Sequence, residues 1–287
     1  MDLPQLLANG IVQGLFIAMA ALAITLAFSI ARFPNAATGD VMTAGAFAGL
    51  ATQQATGSLI LSGLAAVLTG ALISLVADRL VFRRLTRRPV VASLVASIGV
   101  AFVIRAVLGV SFGLDQQVYN IPLTRAKLYF GVRLTPLDLQ VAAVVALSLA
   151  LVFGVLHATP IGRQMRAVAD DRDLARVSGI RPGRVMVALW LISGGVAGLA
   201  GMMLGIKTVV ETELGWSMLL SAFTAAILGG IGSPGGAVAA GLLLGVAQEL
   251  STPFVGFNYK LVVAFAAMLG VLLLRPSGLF GKREGVR

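Results

Sequence analysis

Cysteine is absent from the 287-residue chain, so disulfides, thiolate catalysis and cysteine-ligated metals are excluded. Histidine occurs once, at His157, and one imidazole cannot hold a metal by itself. Charge is also scarce: 12% of residues are Asp, Glu, Lys or Arg, where a soluble domain carries about one quarter. So little polar surface cannot cover a soluble globule of this size. No basic stretch precedes the first apolar run in Met1-Asp2-Leu3-Pro4, which argues against a cleaved signal peptide and keeps the first helix in the mature protein.

What is present is apolar sequence: 58% of residues are hydrophobic and the mean hydropathy is +0.95. A bilayer-spanning helix needs roughly 20 mostly apolar residues. Runs near that length lie at Asn9–Ile30, Thr38–Gln53, Leu59–Ala77, Val90–Val110, Leu137–Leu156, Val185–Ile206, Met218–Leu228, Ala237–Leu250 and Tyr259–Leu274. Thr38–Gln53 and Met218–Leu228 are short and glycine-flanked, as half-helices or re-entrant pieces are. The expected fold is all-α: one polytopic transmembrane bundle over residues 1–287, with about eight or nine spans and interrupted short helices.

The net charge of +10 does not indicate nucleic acid, because the basic residues sit in short patches between apolar runs without interleaved aromatics. Arg32, the group Arg79, Arg83, Arg84, Arg87 and Arg88, the loop arginines Arg163, Arg166, Arg172, Arg176, Arg181 and Arg184, and the tail residues Arg275, Lys282, Arg283 and Arg287 fall on one side when the segments alternate. The positive-inside rule makes that side the cytoplasm, with the N-terminus outside and the C-terminus inside.

Local signals mark the helix ends. Thr135-Pro136-Leu137-Asp138 combines a hydroxyl cap, a first-turn proline and a carboxylate at N3. Thr159-Pro160 repeats the cap and proline, and Arg275-Pro276 stops the last span. The loop from Ser111 to Arg133, with Tyr119, Pro122, Lys127 and Tyr129, is the longest outside piece and could face a soluble partner. Glycine is abundant, at 34 residues, and its four-residue spacing at Gly194/Gly198 and Gly241/Gly245 suits close helix packing. The spacing of Gly39, Gly45 and Gly49 recurs at Gly235, Gly241 and Gly245, as in an inverted repeat, although so many glycines also produce such echoes by chance.

Gly230-Ile231-Gly232-Ser233-Pro234-Gly235 fits a G-x-G-x-x-G pattern, but no strand precedes it and no Gly-Lys-Ser/Thr follows, so a nucleotide loop is rejected in favour of a helix break at a membrane edge. Asp40, near the start of the second segment, either lines a pathway or is a helix-start carboxylate held by the dipole. Arg105, Lys207, Glu249 and Lys260 are expected to snorkel at the outer interface. From Thr159 to Arg184, Ile161, Met165 and Val168 recur at helical spacing. Asp170 and Asp171 then cap a second short helix containing Leu174 and Val177 and ending at Gly179 before Pro182. The residues alone read equally well as a compact helical knob or as a basic loop that anchors topology.

Taken in order, Asn35-Ala36-Ala37-Thr38-Gly39-Asp40, Thr159-Pro160-Ile161-Gly162-Arg163 through Asp170-Asp171 to Gly179-Ile180, Leu228-Gly229-Gly230-Ile231-Gly232-Ser233, and Arg275-Pro276-Ser277-Gly278-Leu279-Phe280-Gly281 resemble the permease subunits of bacterial ABC importers for branched-chain amino acids, specifically the smaller of the two, nearly end to end. The resemblance implies a bacterial inner-membrane location, a second related permease, two ATPase subunits and an extracytoplasmic solute-binding protein. It implies no catalytic residue, metal or cofactor in this chain and no nucleic-acid partner. It makes the stretch from Ala169 to Gly179 a coupling helix seated on an ATPase, with Arg163, Arg166, Asp170, Asp171, Ala175 and Gly179 as the coupling residues. Asn35, Thr38, Asp40, Thr43, Gly230 and Gly232 are the pathway candidates. Thr38 stands where many relatives carry histidine, Ala36 where a bulkier residue is common, and Pro234 one place earlier than usual. Related permeases carry urea or short amides, so the solute stays open. A secondary transporter driven through Asp40 or Glu249 is the alternative. An intramembrane enzyme lacks paired carboxylates, clustered histidines or an activated nucleophile in any span.

Overall fold

The structure is a computed structural model that describes residues 3–86, 88–122, 125–129, 131–256, 259–275 and 278–280. Arg87, Pro276, Lys282, Arg283 and Arg287, invoked above for charge and helix termination, lie outside the described residues, as do Ser277 and Gly281 of the C-terminal motif. Among the described residues there are eleven helices: α1 (Leu3–Ala31), α2 (Ala37–Thr56), α3 (Leu59–Leu85), α4 (Val90–Phe112), α5 (Pro136–Ala158), α6 (Pro160–Asp170), α7 (Arg172–Val177), α8 (Pro182–Lys207), α9 (Leu214–Gly229), α10 (Pro234–Val255) and α11 (Lys260–Leu274). Nine of them fall on the nine apolar segments, and α6 and α7 form the connection from Thr159 to Arg184. Six, namely α1, α3, α4, α5, α8 and α10, are long and apolar enough to cross a membrane. α9 and α11 are shorter. α2, at 20 residues, is longer than its apolar run because Gln54, Ala55 and Thr56 extend it to a left-handed stop at Gly57.

The chain forms a polytopic helical bundle whose spans are apolar around their whole circumference, as helices in lipid or deep in protein must be. Burial differs among the spans. The apolar window of α1 is 78% buried and that of α8 67%, against 17% for α4, whose Phe102, Val103 and Val110 are exposed. Start signals behave as read. Asp138 accepts from the Thr135 amide at 2.9 Å while the Thr135 hydroxyl accepts from the Asp138 amide at 3.1 Å, a reciprocal capping box. Thr159 accepts from the Gly162 amide at 3.3 Å.

Two compact units are distinguished. One contains the chain up to Thr25, Ile121–Ala146 and the chain from Met218 onward; the other contains Leu26–Asn120 and Leu147–Ser217. In the first, α11 packs on α10, and Gly10 and Gly14 of α1 lie against Val246 and Leu242 of α10 so closely that a Cβ would meet backbone. In the second, α2, α3 and α8 pack mutually, and α4 rests on α2. Gly45 meets Gly198, Gly70 meets Gly194, and Gly201 meets the Met42 carbonyl, each without room for a methyl group. The expected small-residue packing is thus realised, and α8 is its hub.

Two features were not read from the sequence. Between Asp78 and Phe82, α3 is π-helical, and Phe82 stacks on Trp190 with centroids 5.2 Å apart while Phe33 closes the cluster at 5.0 Å from Phe82. In the connection between α4 and α5, Lys127–Tyr129 and Val132–Leu134 pair as antiparallel strands. Earlier in that loop Tyr119 is buried and donates to the Ala46 carbonyl at 2.8 Å, and burial holds its phenol well above the ordinary tyrosine range.

Candidate functional site

The α1–α2 break begins where Arg32 takes a left-handed conformation, φ 58°, which ends α1. The Asn35 carbonyl oxygen of the side chain then accepts from the Ala37 amide at 3.1 Å, and the Ala36 amide donates to Ser97 Oγ of α4 at 3.1 Å. These bonds satisfy amides that the first turn of a helix leaves free. Asn35 and Thr38 are buried, and Asp40 and Thr43 are fully so. Thr43 Oγ donates to the Gly39 carbonyl at 3.3 Å and accepts from the Gly215 amide at 3.0 Å, fixing the start of α9 to α2. A Cβ at Gly215 would overlap the Gly39 carbonyl, so α2 and α9 approach here as closely as backbones can.

Asp40 is paired. Arg105 Nε donates to its Oδ1 at 3.0 Å and a terminal nitrogen to Oδ2 at 3.4 Å, a bidentate grip across α2 and α4. A second carboxylate, the exposed Glu213, lies 3.7 Å from Arg105. The guanidinium carbon is also 5.1 Å from the Trp216 ring centroid and 5.6 Å from that of Phe102. Arg105, read from the sequence as an interfacial residue, neutralises the carboxylate that the sequence singles out. The sequence carries no signal for this pairing, because the partners are 65 positions apart. Glu249 of α10 likewise pairs, with Lys260 of α11.

Gly230 and Gly232 form the turn between α9 and α10 with φ of 99° and 87°. Gly230 is buried and Gly232 exposed. Ser233 caps α10 through the Gly236 amide at 3.2 Å, with Pro234 at its start. The C-terminal motif docks on this turn: the Leu279 amide donates to the Leu228 carbonyl at 2.8 Å and the Phe280 amide to that of Gly229 at 3.2 Å. Two of the motifs read separately in the sequence are therefore one structure.

From Thr159 to Arg184 the chain is a helical knob. α6 is amphipathic, burying Gly162, Met165 and Val168, while Arg163 points outward. Arg166 reaches back to the Leu156 carbonyl at the end of α5, and Gly162 lies against the same carbonyl too closely for a side chain. Arg32 donates to the Ala169 carbonyl at 3.0 Å and to that of Asp170 at 3.5 Å, closing the C-terminus of α6 from the end of α1. Asp170 is exposed; Asp171 caps α7 by accepting from the Asp173 and Leu174 amides at 2.8 and 2.9 Å. Ala175 is buried beneath α7. At Gly179, φ 83°, the helix stops in a Schellman turn, with the Ile180 amide bonded to the Ala175 carbonyl at 3.0 Å. Leu174, 65% exposed, and Val177, 86% exposed, are left uncovered on α7.

The two backbone amides, with Arg32 adding its field, hold the Asp171 carboxyl below its ordinary 3.8. The cap's contribution is therefore fully present above about pH 3.8 and is lost as pH falls through the lower folded value. Amide exchange at Asp173 and Leu174 should accelerate over that window. Asp171→Asn should keep the protection without the pH dependence, and Asp171→Ala should lose protection at neutral pH.

Apolar spans, close glycine crossings and a helical knob between two spans are features of a polytopic membrane subunit, and its family places it in a transport system. The chain belongs to the family of branched-chain amino acid transport system permease components, whose model matches residues 6–272. It is 30% identical over 298 residues to the high-affinity branched-chain amino acid transport system permease protein LivH of Salmonella typhimurium, covering 98% of this chain and 96% of that one. The permease protein LivM of the same organism matches over 159 residues at 31% identity, 53% of this chain and 37% of its own length. Among solved structures, PsaBC from Streptococcus pneumoniae in complex with Fab shares the fold, with a TM-score of 0.50, 12% identity, and 94% of this chain and 91% of that one covered.

Proposed function

We propose that the chain is the non-catalytic transmembrane subunit of an ATP-driven importer that carries branched-chain or related amino acids into the cytoplasm. It would sit in the bacterial inner membrane as a single permease domain with its N-terminus outside and its C-terminus inside. Its partners would be a second, related permease, two ATPases and an extracytoplasmic binding protein. Family membership supports the solute class, and the two permease relatives of one organism support a paired membrane core. The observation that carries the coupling role is the attachment of the knob. Arg166 and Gly162 fasten it to α5 and Arg32 to α1, so a push on α7 moves those helices as levers, while exposed Leu174 and Val177 offer an apolar contact. Asn35, Thr38, Asp40 and Thr43 would act by setting where α2 sits beside the path, with Gly230 and Gly232 at the second break. An ion-driven transporter is less well supported, because both carboxylates it would use are engaged in ion pairs.

The reading predicts that leucine uptake into proteoliposomes requires the co-reconstituted ATPases and ATP and survives an ionophore. Uptake without ATPases that collapses with the ionophore would overturn it. Asp170→Arg and Asp171→Arg combined with Gly179→Pro should abolish ATPase pull-down while leaving membrane insertion intact, since proline cannot adopt the positive φ of Gly179. Pull-down at the unsubstituted level would remove the coupling assignment.

A further inference from the structure

At the root of the knob, wholly within the second unit, a cleft of about 450 Å³ opens between the end of α1, the π-helical stretch of α3, the start of α4 and the α6–α7 junction. Its volume is in the range of small-molecule sites. One wall is apolar, built from Ile30, Phe33, Phe82, Leu85, Val168 and Met186. Set into that wall is Asp78, 4% exposed, whose carboxylate forms no ion pair among the described residues. Trp190 Nε1 faces Asp78 but is outside hydrogen-bond geometry, and Arg79 and Arg83 on the same helix act on it only through their field. The rim carries the guanidiniums of Arg32, Arg88 and Arg172, and the carboxylates of Asp170, Asp171 and Asp173.

A buried carboxylate without a close counter-charge is costly, so its retention at the wall of a cleft marks a place for a cation. The π-helical insertion points the same way. Such insertions are frequent at functional sites, and this one spans the two cleft residues Asp78 and Phe82. A bare metal ion is disfavoured by the guanidiniums of Arg32, Arg88 and Arg172 that line the same cleft. An organic ammonium with an aliphatic body matches both the acid and its surroundings. With four carboxylates against three guanidiniums around it, the cleft disfavours a free anion yet still offers donors to a carboxylate that arrives with an ammonium.

We infer that this cleft binds an α-amino acid with an aliphatic side chain, its ammonium on Asp78, its carboxylate on the rim guanidiniums and its side chain along the Phe33–Phe82–Met186 wall. The inference rests on the proposed function for placing the cleft on the cytoplasmic side, where it would sense solute already imported. Because its walls belong to both α3 and the α6–α7 junction, an occupied cleft ties the knob to the membrane helices.

The purified full chain in lipid nanodiscs, without ATPases, tests this independently of coupling. Trp216→Phe leaves Trp190, packed on Phe33 and Phe82, as the one tryptophan of the two in the sequence. L-leucine should shift Trp190 fluorescence saturably. Isoamylamine, which lacks the carboxylate, should bind about tenfold or more weakly, as should leucine to Asp78→Asn, each loss being that of one charged contact. Isocaproate, which lacks the ammonium, should not bind. Leucine should also slow amide exchange at Asp173 and Leu174. Absence of a saturable leucine response, equal binding by Asp78→Asn, or isocaproate binding as well as leucine would overturn the site; unchanged exchange in α7 would overturn its link to the knob. If Asp78→Asn fails to fold, the three-ligand comparison on the Asp78 chain decides. Failure of ATPase pull-down bears on coupling alone and leaves these outcomes untouched.

Discussion

Asp40→Asn is expected to destabilise the protein by about 3–5 kcal/mol and to abolish uptake, because breaking a buried ion pair strands the remaining charge. Asp40 is fully buried, whereas Arg105 is 18% exposed and keeps the exposed Glu213 carboxylate at 3.7 Å and two aromatic faces. The loss should therefore fall toward the lower end of that range. Removing both charges together is expected to be far milder than removing either alone, since an apolar replacement of a buried pair is often close to neutral. The cycle of Asp40→Asn, Arg105→Met and the double variant, followed by thermal unfolding in detergent, should show the double more stable than the sum of the singles by 1 kcal/mol or more, about the size of coupling seen between contacting residues. If Asp40→Asn unfolds at the unsubstituted temperature, the pair is not structural. If the double variant is stable but silent in uptake, the charges themselves serve transport.

Gly201→Ala should be nearly as damaging. A Cβ there would overlap the Met42 carbonyl, which is backbone and cannot rotate aside, so α2 and α8 must separate. Overpacking costs about 1–3 kcal/mol where side chains can adjust, and this site lies at or beyond the upper end because they cannot. The same chemical change at Gly99 of α4, where nothing lies within 4 Å, should instead be neutral or stabilising by up to about 1 kcal/mol through helix propensity. Parallel measurement of detergent stability for the two variants separates packing from composition. Equal effects at Gly99 and Gly201 would remove α8 from its place as the packing hub.

The difference between those two glycines shows what could be read in advance. The sequence announces that glycines lie at close spacing in apolar helices, but which of them faces a neighbour depends on packing between segments more than a hundred residues apart. Helix ends were legible because their causes are local: Thr135 with Asp138, and Thr159 with Pro160, act within a few residues. The knob was legible for the same reason, since its cap at Asp171 and its stop at Gly179 lie eight positions apart. The pairing of Arg105 was not legible because it depends on Asp40, 65 positions away, and the π-helical stretch of α3 was not because nothing in the local sequence around Asp78 distinguishes it from an unbroken span. The short second segment proved longer as a helix because polar residues prolong it beyond its apolar run.

The docking of residues 278–280 on the α9–α10 turn carries a consequence for biogenesis. The carbonyls of Leu228 and Gly229 accept from the amides of Leu279 and Phe280, about fifty residues later in synthesis. During translation the turn therefore exists for a time with two acceptors open, and the last apolar hairpin must be inserted before it closes. A nascent chain arrested after α11 would display an incomplete turn.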